Sequence, residues 1–196
     1  MNVYQLKEAP HDYKALQLGP TELFGAIGKQ HLMTIHRQRS QNTSLLDIWK
    51  NVSASFDDVL GTNADIPDVS LWSMTYLVLS HRAYEILKPT LENEGEFLLV
   101  TVGEEQVYVF NCLSFGQEDE SVCVKKYLDG IEDGYEILYF EESDIEKRYL
   151  FKSRLEGCQR LYATESFKHL CDHYDLRGLR LALLLKSMEL NQEATI

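Results

Sequence analysis

Residues Gln106–Cys112 constrain the fold more than any other part of this chain. In an extended conformation Val107 and Val109 point to one side while Tyr108 and Phe110 point to the other. A strand that is apolar on both sides must be covered on both, so the segment is expected at the centre of a sheet with packing above and below it. The preceding stretch Glu96–Val102 is also β-rich, and Gly103-Glu104-Glu105 joins the two as a short hairpin connection.

Two further units repeat one pattern. Tyr76–Leu79 is a short apolar run ending at Ser80, a favourable helix N-cap, after which Ala83, Ile86, Leu87 and Leu91 line one helical face. Pro89 removes a backbone donor there, so a kink or an early end is expected, with Gly95 closing the segment. Leu161–Ala163 similarly reads as a strand, Thr164 as an N-cap, and Phe167, Leu170, Cys171 and Tyr174 as the apolar face of a helix closed by Gly178. Ser80 and Thr164 thus share apolar partners at +3, +6 and +7, which implies related packing. Leu179–Leu185 supplies a final strand.

The other signals are sparser. Val3–Leu6 and Tyr13–Leu18 read as short strands before a turn at Gly19-Pro20, and Glu136–Phe140 and Arg148–Lys152 as strands flanking an acidic turn, Glu141–Asp144. Between Thr21 and Leu60 the apolar residues are scattered. Ser40–Ser44 reads there as a polar loop before a short helical pattern through Leu45, Leu46, Ile48 and Trp49, and Gly61–Ser70 as an exposed loop. The expected fold is therefore α+β, a mixed and largely antiparallel sheet packed by a few helices. The 196 residues are read as one domain, with the weakest patterning in residues 1–65. A chain of this length can bury about 70% of its unfolded surface and needs no covalent staples.

Charge is the strongest compositional signal. The 31 acids and 19 bases leave −12, and Glu92–Glu146 holds 16 acids against two bases, Lys125 and Lys126, a balance of −14. Such a surface repels nucleic acid, whose affinity for proteins comes largely from phosphate neutralisation by Lys and Arg. His36, Arg37 and Arg39 form the one compact basic patch, too small to offset this. No apolar run reaches membrane-spanning length, and Met1–Pro10 lacks a basic segment followed by an apolar one, so a cytoplasmic protein without a membrane partner is expected. Cys112, Cys123, Cys158 and Cys171 form no CxxC pair and read as reduced, partly buried thiols.

Several apparent motifs dissolve under inspection. Cys171 falls on the apolar face of its helix, opposite His169 and His173, so the three cannot converge on one metal. Asp129, Asp133 and Gly134 lack the third- and twelfth-position oxygen ligands of a calcium loop, where Ile131 and Phe140 stand instead, and read as a Gly-rich acidic turn. Gly25-Ala26-Ile27-Gly28-Lys29 has neither the glycine spacing nor the hydroxyl of a phosphate-binding loop and reads as a turn. No metal or cofactor is expected, and no residue is assigned a catalytic role. What remains is the acidic stretch. Glu118, Asp119 and Glu120, then Asp129, Glu132 and Asp133, then Glu141, Glu142 and Asp144 recur between the expected strands. They read either as an ordinary solvated face or as a surface that steers a basic protein partner.

The pattern of Leu77-Val78-Leu79-Ser80 with Ala83 and Leu87, Glu96-Phe97-Leu98 and Tyr108-Val109-Phe110-Asn111 continues in Leu150-Phe151-Lys152, Leu161-Tyr162-Ala163-Thr164, Phe167-Lys168 and Leu176-Arg177-Gly178-Leu179. Over Ile66–Leu185 it resembles a bacterial family first catalogued as a domain of unknown function and later grouped with immunity proteins of polymorphic toxin systems. The resemblance implies a protein that binds a cognate toxin in the cytoplasm and neutralises it, and it implies no catalytic residue; the charge distribution adds the nine acidic residues as candidate contacts. It implies nothing about oligomeric state. Two other readings stay open. One is an enzyme or small-ligand protein whose dispersed site would gather several of His81, Glu85, Cys158 and His169 in a deep pocket. The other is a general interaction module.

Overall fold

The computed structural model describes residues 1–184. In chain order the elements begin with β1 (Val3–Glu8), β2 (Ala15–Gln17), α1 (Pro20–Ile27), a 3-10 turn at Lys29–His31, α2 (Leu32–Gln41) and β3 (Val52–Asp57). The middle holds β4 (Val69–Trp72), β5 (Tyr76–Ser80), α3 (His81–Leu91), β6 (Gly95–Val102), β7 (Glu105–Cys112), β8 (Val124–Leu128) and β9 (Ile131–Ile137). The last part holds α4 (Glu142–Ile145), β10 (Leu150–Lys152), β11 (Leu161–Thr164), α5 (Glu165–His173) and β12 (Leu179–Leu183).

The fold is α+β. Six strands form one sheet in the order β2-β3-β6-β7-β5-β4, four form a second in the order β10-β11-β1-β12, and β8-β9 pair only with each other. Among the named strands, β3 and β6 run parallel, with Val52 opposite Val100, and every other pairing is antiparallel. No helix among the described residues is long and apolar enough to cross a membrane.

β7 occupies the central position its pattern demanded, between β6 and β5. Val107 and Val109 join one core with Val52, Val78, Leu98 and Val100, closed over by Leu23 and Ile27 of α1 and by Ile35 of α2. Phe110 and Cys112 face a second core with Leu77 and Leu79 of β5. Into that same core α3 sends Ala83, Leu87 and Leu91, α5 sends Phe167 and Cys171, and the four-stranded sheet sends Leu6, Leu150, Leu161 and Ala163. Alternation along the four-stranded sheet places Val3, Phe151 and Tyr162 on its other face, under Leu138, Phe140 and Ile145. The two strand-and-helix repeats, β5-α3 and β11-α5, thus meet in one shared core. Ser80 caps α3 by accepting the Ala83 N–H at 3.2 Å, whereas the Thr164 hydroxyl donates to the Arg148 carbonyl at 2.8 Å and leaves the helix uncapped by its side chain.

Several expectations are corrected. Gly19-Pro20 starts α1 rather than making a turn: Pro20 fills the first helical position, and the Glu22 carboxylate accepts the Gly19 N–H at 2.9 Å. Gly25–Ile27 belongs to α1, and Gly28 ends it at φ +86°. Leu45–Trp49 is a turn closed by the Trp49 N–H on the Leu45 carbonyl, not a helix. Pro89 does not stop α3, which runs two residues further: the proline removes only the bond its N–H would give the Glu85 carbonyl, and the Glu92 N–H still closes the last turn on the Lys88 carbonyl. α5 ends at His173, before Gly178, and β9 ends at Ile137, inside the expected Glu136–Phe140 strand. Glu141–Asp144 overlaps a short helix. Leu185 lies outside the described residues.

Gly95 and Gly178 are among the glycines fixed by close backbone approach. A Cβ on Gly95 would sit 2.2 Å from the Asn111 carbonyl oxygen, and one on Gly178 2.1 Å from that of Val69. Gly178 also lies at φ +129°.

At the end of β10, Lys152 is fully buried; its Nζ donates to Asn42 Oδ1 at 2.7 Å and lies 5.5 Å from the centre of the Tyr76 ring. Burial pushes its ammonium down from 10.5 to about 8, against the opposing pull of Cys112, Cys158 and Glu96. Between those two values the unfolded chain holds a proton that the folded chain has lost, so this group makes stability rise with pH. Below about pH 8 both states are protonated and the penalty of the buried cation is constant. In urea denaturation, the stability of the wild type relative to Lys152→Met should climb by about 3 kcal/mol from just below pH 8 to about pH 10.5. Parallel pH profiles for the two proteins would refute the lowering of the Lys152 ammonium by burial.

Candidate protein-binding surface

Residues 117–146 carry eleven acids against two bases and leave the body of the fold as one connected excursion. Its root is apolar: Leu138, Phe140 and Ile145 pack under the four-stranded sheet, with Cys123 and Tyr135 against them. From that root β8 and β9 project as a hairpin, closed by Asp129-Gly130 with φ values of +51° and +81°. Two successive residues of positive φ make the tight turn whose twist matches antiparallel strands, and Asp-Gly is well suited to it.

The nine acidic residues are not equivalent. Glu118 Oε1 accepts the Ser153 hydroxyl and the Arg154 N–H, both at 2.7 Å, and the Leu155 N–H at 3.2 Å, so it organises the turn after β10. Asp144 accepts the Gln117 N–H at 2.9 Å and pairs with both Nε and NH2 of Arg148 at 3.0 and 2.7 Å. The Arg148 guanidinium holds the Asp144 carboxyl below its ordinary range. Glu141 accepts Gln117 Nε2 at 2.9 Å, so Gln117 draws Glu141 and Asp144 together. Glu142 meets the amino group of Met1, and Asp119 accepts the N–H and hydroxyl of Ser121 at 3.1 and 2.6 Å.

On the hairpin, Glu132 pairs with Lys125 at 2.9 Å and Asp133 with Lys126 at 2.7 Å, both pairs exposed. Glu120 and Asp129 face solvent with no hydrogen-bond or ion-pair partner among the described residues. The surface is therefore negative, but Glu118 and Asp144 serve the fold first. The sequence reading placed a Gly-rich acidic turn at Asp129, Asp133 and Gly134 but missed β8, which enters it. The signal for the hairpin is Asp129-Gly130 between two β-rich runs.

Along one flank of the hairpin lies a cleft of about 750 Å³ between Lys126, Asp133, Tyr135 and Glu136 on one side and Leu155, Glu156 and Arg160 on the other. A second cleft, of about 260 Å³, is lined by Phe56, Ile66, Pro67, Val102 and His81; Glu85, Cys158 and His169 do not line it. His169 and His173 are exposed on α5 while Cys171 is buried, the opposition their spacing required. Among the described residues no group of three or more His, Cys, Asp or Glu is placed to hold a metal ion.

The division of labour among the carboxylates is measurable. Glu118→Ala strips three donors of their acceptor and should cost about 1–3 kcal/mol in urea denaturation. Glu120→Ala and Asp129→Asn should change stability by less than about 0.5 kcal/mol. Equal losses at all three positions would contradict these assignments.

No family model matches the sequence, and no curated protein matches it either.

Proposed function

We propose that this chain is an inhibitor that acts by binding: an immunity protein that covers a cognate toxin in the cytoplasm and carries out no reaction of its own. The observation that carries this reading is the concentration of negative charge on a projecting, internally braced part of the surface. A charged surface of fixed geometry accelerates encounter with an oppositely charged partner and rejects partners of like charge. The bracing matters because groups already held in place lose little freedom on binding. Glu118 and Asp144 hold the root through backbone N–H groups, and the Lys125-Glu132 and Lys126-Asp133 pairs lie across the hairpin. The free acids Glu120 and Asp129, with Glu136 at the mouth of the larger cleft, are then available to a basic partner. The resemblance over Ile66–Leu185 points the same way, since it implies a partner protein and no catalytic residues.

The test is protection. A bacterial host expressing a toxin encoded beside this chain should survive only when the chain is co-expressed. A variant combining Glu120→Lys, Asp129→Asn and Glu136→Lys should associate with the purified toxin about tenfold more slowly at low salt, with dissociation changed less than about twofold. Absence of protection by the wild type would overturn the inhibitor reading. Unchanged association by the variant would move the contact surface elsewhere.

A further inference from the structure

The β8-β9 hairpin combines two properties that solvated loops do not share. It is acidic, and its end is apolar and uncovered: Tyr127 is 60% exposed, Leu128 61% and Ile131 74%. Leu128 and Ile131 stand opposite each other as the last pair before the Asp129-Gly130 turn, and Tyr127 lies opposite Glu132. Every residue of β8 is exposed, and the hairpin pairs with neither larger sheet. An isolated two-stranded ribbon is marginal in water. Here the packed root and the two cross-strand ion pairs support it, so the apolar end is presented on a braced stalk.

We propose that the hairpin end, Tyr127, Leu128 and Ile131, is the anchor of the interface, inserting into an apolar pocket of the partner protein that is rimmed by Lys and Arg. This rests on the inhibitor reading and specifies the partner surface. The argument for that occupant is charge complementarity. Asp129, Glu132 and Asp133 flank the apolar end, so a pocket that takes it must meet three carboxylates, two of them paired with lysines. A second copy of this chain is a poor occupant for the same reason, because a symmetric contact between hairpin ends sets Asp129 and its neighbours against their own copies. A central apolar anchor within a charged rim is the arrangement in which a few side chains dominate binding, while the rim governs the association rate.

The experiment compares the wild type, Leu128→Ser/Ile131→Ser and Tyr127→Ala for binding to the purified toxin encoded beside the chain. Both variants alter exposed side chains, and their thermal midpoints are measured alongside. The double variant should dissociate at least about 30-fold faster and Tyr127→Ala about tenfold faster, with association changed less than about threefold. This is the reverse of the charge variant, which acts on association. Wild-type dissociation rates in both anchor variants would overturn the anchor while leaving the inhibitor reading standing. Failure of the wild type itself to bind would overturn both. A concentration-dependent dimer of the wild type, abolished by the double variant, would show that a second copy occupies the hairpin end and would also overturn the proposal. If the double variant melts early, Tyr127→Ala at an unchanged midpoint decides the question alone.

Discussion

Just before β6, the Glu94 carboxylate turns inward and accepts the backbone N–H groups of Tyr149 and Leu150 at 2.7 and 2.8 Å. This single side chain ties the six-stranded sheet to the first strand of the four-stranded one. Burial pushes its carboxyl up, the two N–H groups pull it back, and the Arg148 guanidinium lends a smaller attraction. The Glu94 carbonyl also receives the N–H groups of Leu113 and Ser114, so the exit of β7 is fixed on the same residue. Two positions on, Glu96 accepts the Leu45 N–H at 2.6 Å, the Ser44 hydroxyl at 2.5 Å and Asn111 Nδ2 at 2.8 Å, holding the loop that follows α2. Gly95 between them must lack a side chain because the Asn111 carbonyl passes too close. The Glu-Gly-Glu triplet is therefore a joint, and the shared core of α3, α5 and both sheets closes around it.

Seen from this joint, the acidic excess divides into two populations. Glu94, Glu96, Glu118, Asp119 and Asp144 accept backbone N–H groups where the chain turns between elements. Glu94 and Glu96 satisfy the buried donors of Leu150 and Leu45, which would otherwise be stranded, and that is worth more than an exposed ion pair. Glu120, Asp129 and Glu136 instead face water. A negative middle segment thus does two jobs at once. It supplies acceptors for irregular backbone and leaves a residue of charge on the surface those turns present.

The legible parts of the fold were those whose information is local. β7 announced itself through apolar side chains on both of its faces, and α3 and α5 through spacing behind Ser80 and Thr164. α1 was hidden because only Leu23 and Ile27 are buried along it, Gly25 sits inside it and Pro20 reads as a turn. β8 was hidden because none of its side chains is buried, so alternation has nothing to mark. Gly95 and Gly178 looked like terminators, since the carbonyls that require glycine there belong to β7 and β4, distant in sequence. The candidate surface shows the same division. Its charge was plain in the sequence, but the donors that occupy Glu118 lie on Ser153, Arg154 and Leu155, beyond the reach of local pattern.

β1 lies between β11 and β12, with Val3 opposite Thr164 and Tyr4 opposite Leu183. Closing so large a loop is entropically costly, and pairings this remote form slowly. Every strand of the six-stranded sheet, by contrast, lies between Ala15 and Cys112. During synthesis that sheet can assemble while β1 still waits for partners the ribosome has not delivered. For that interval Val3, Tyr4 and Leu6 form a bare apolar strand, the segment a chaperone would hold or a neighbouring nascent chain would capture.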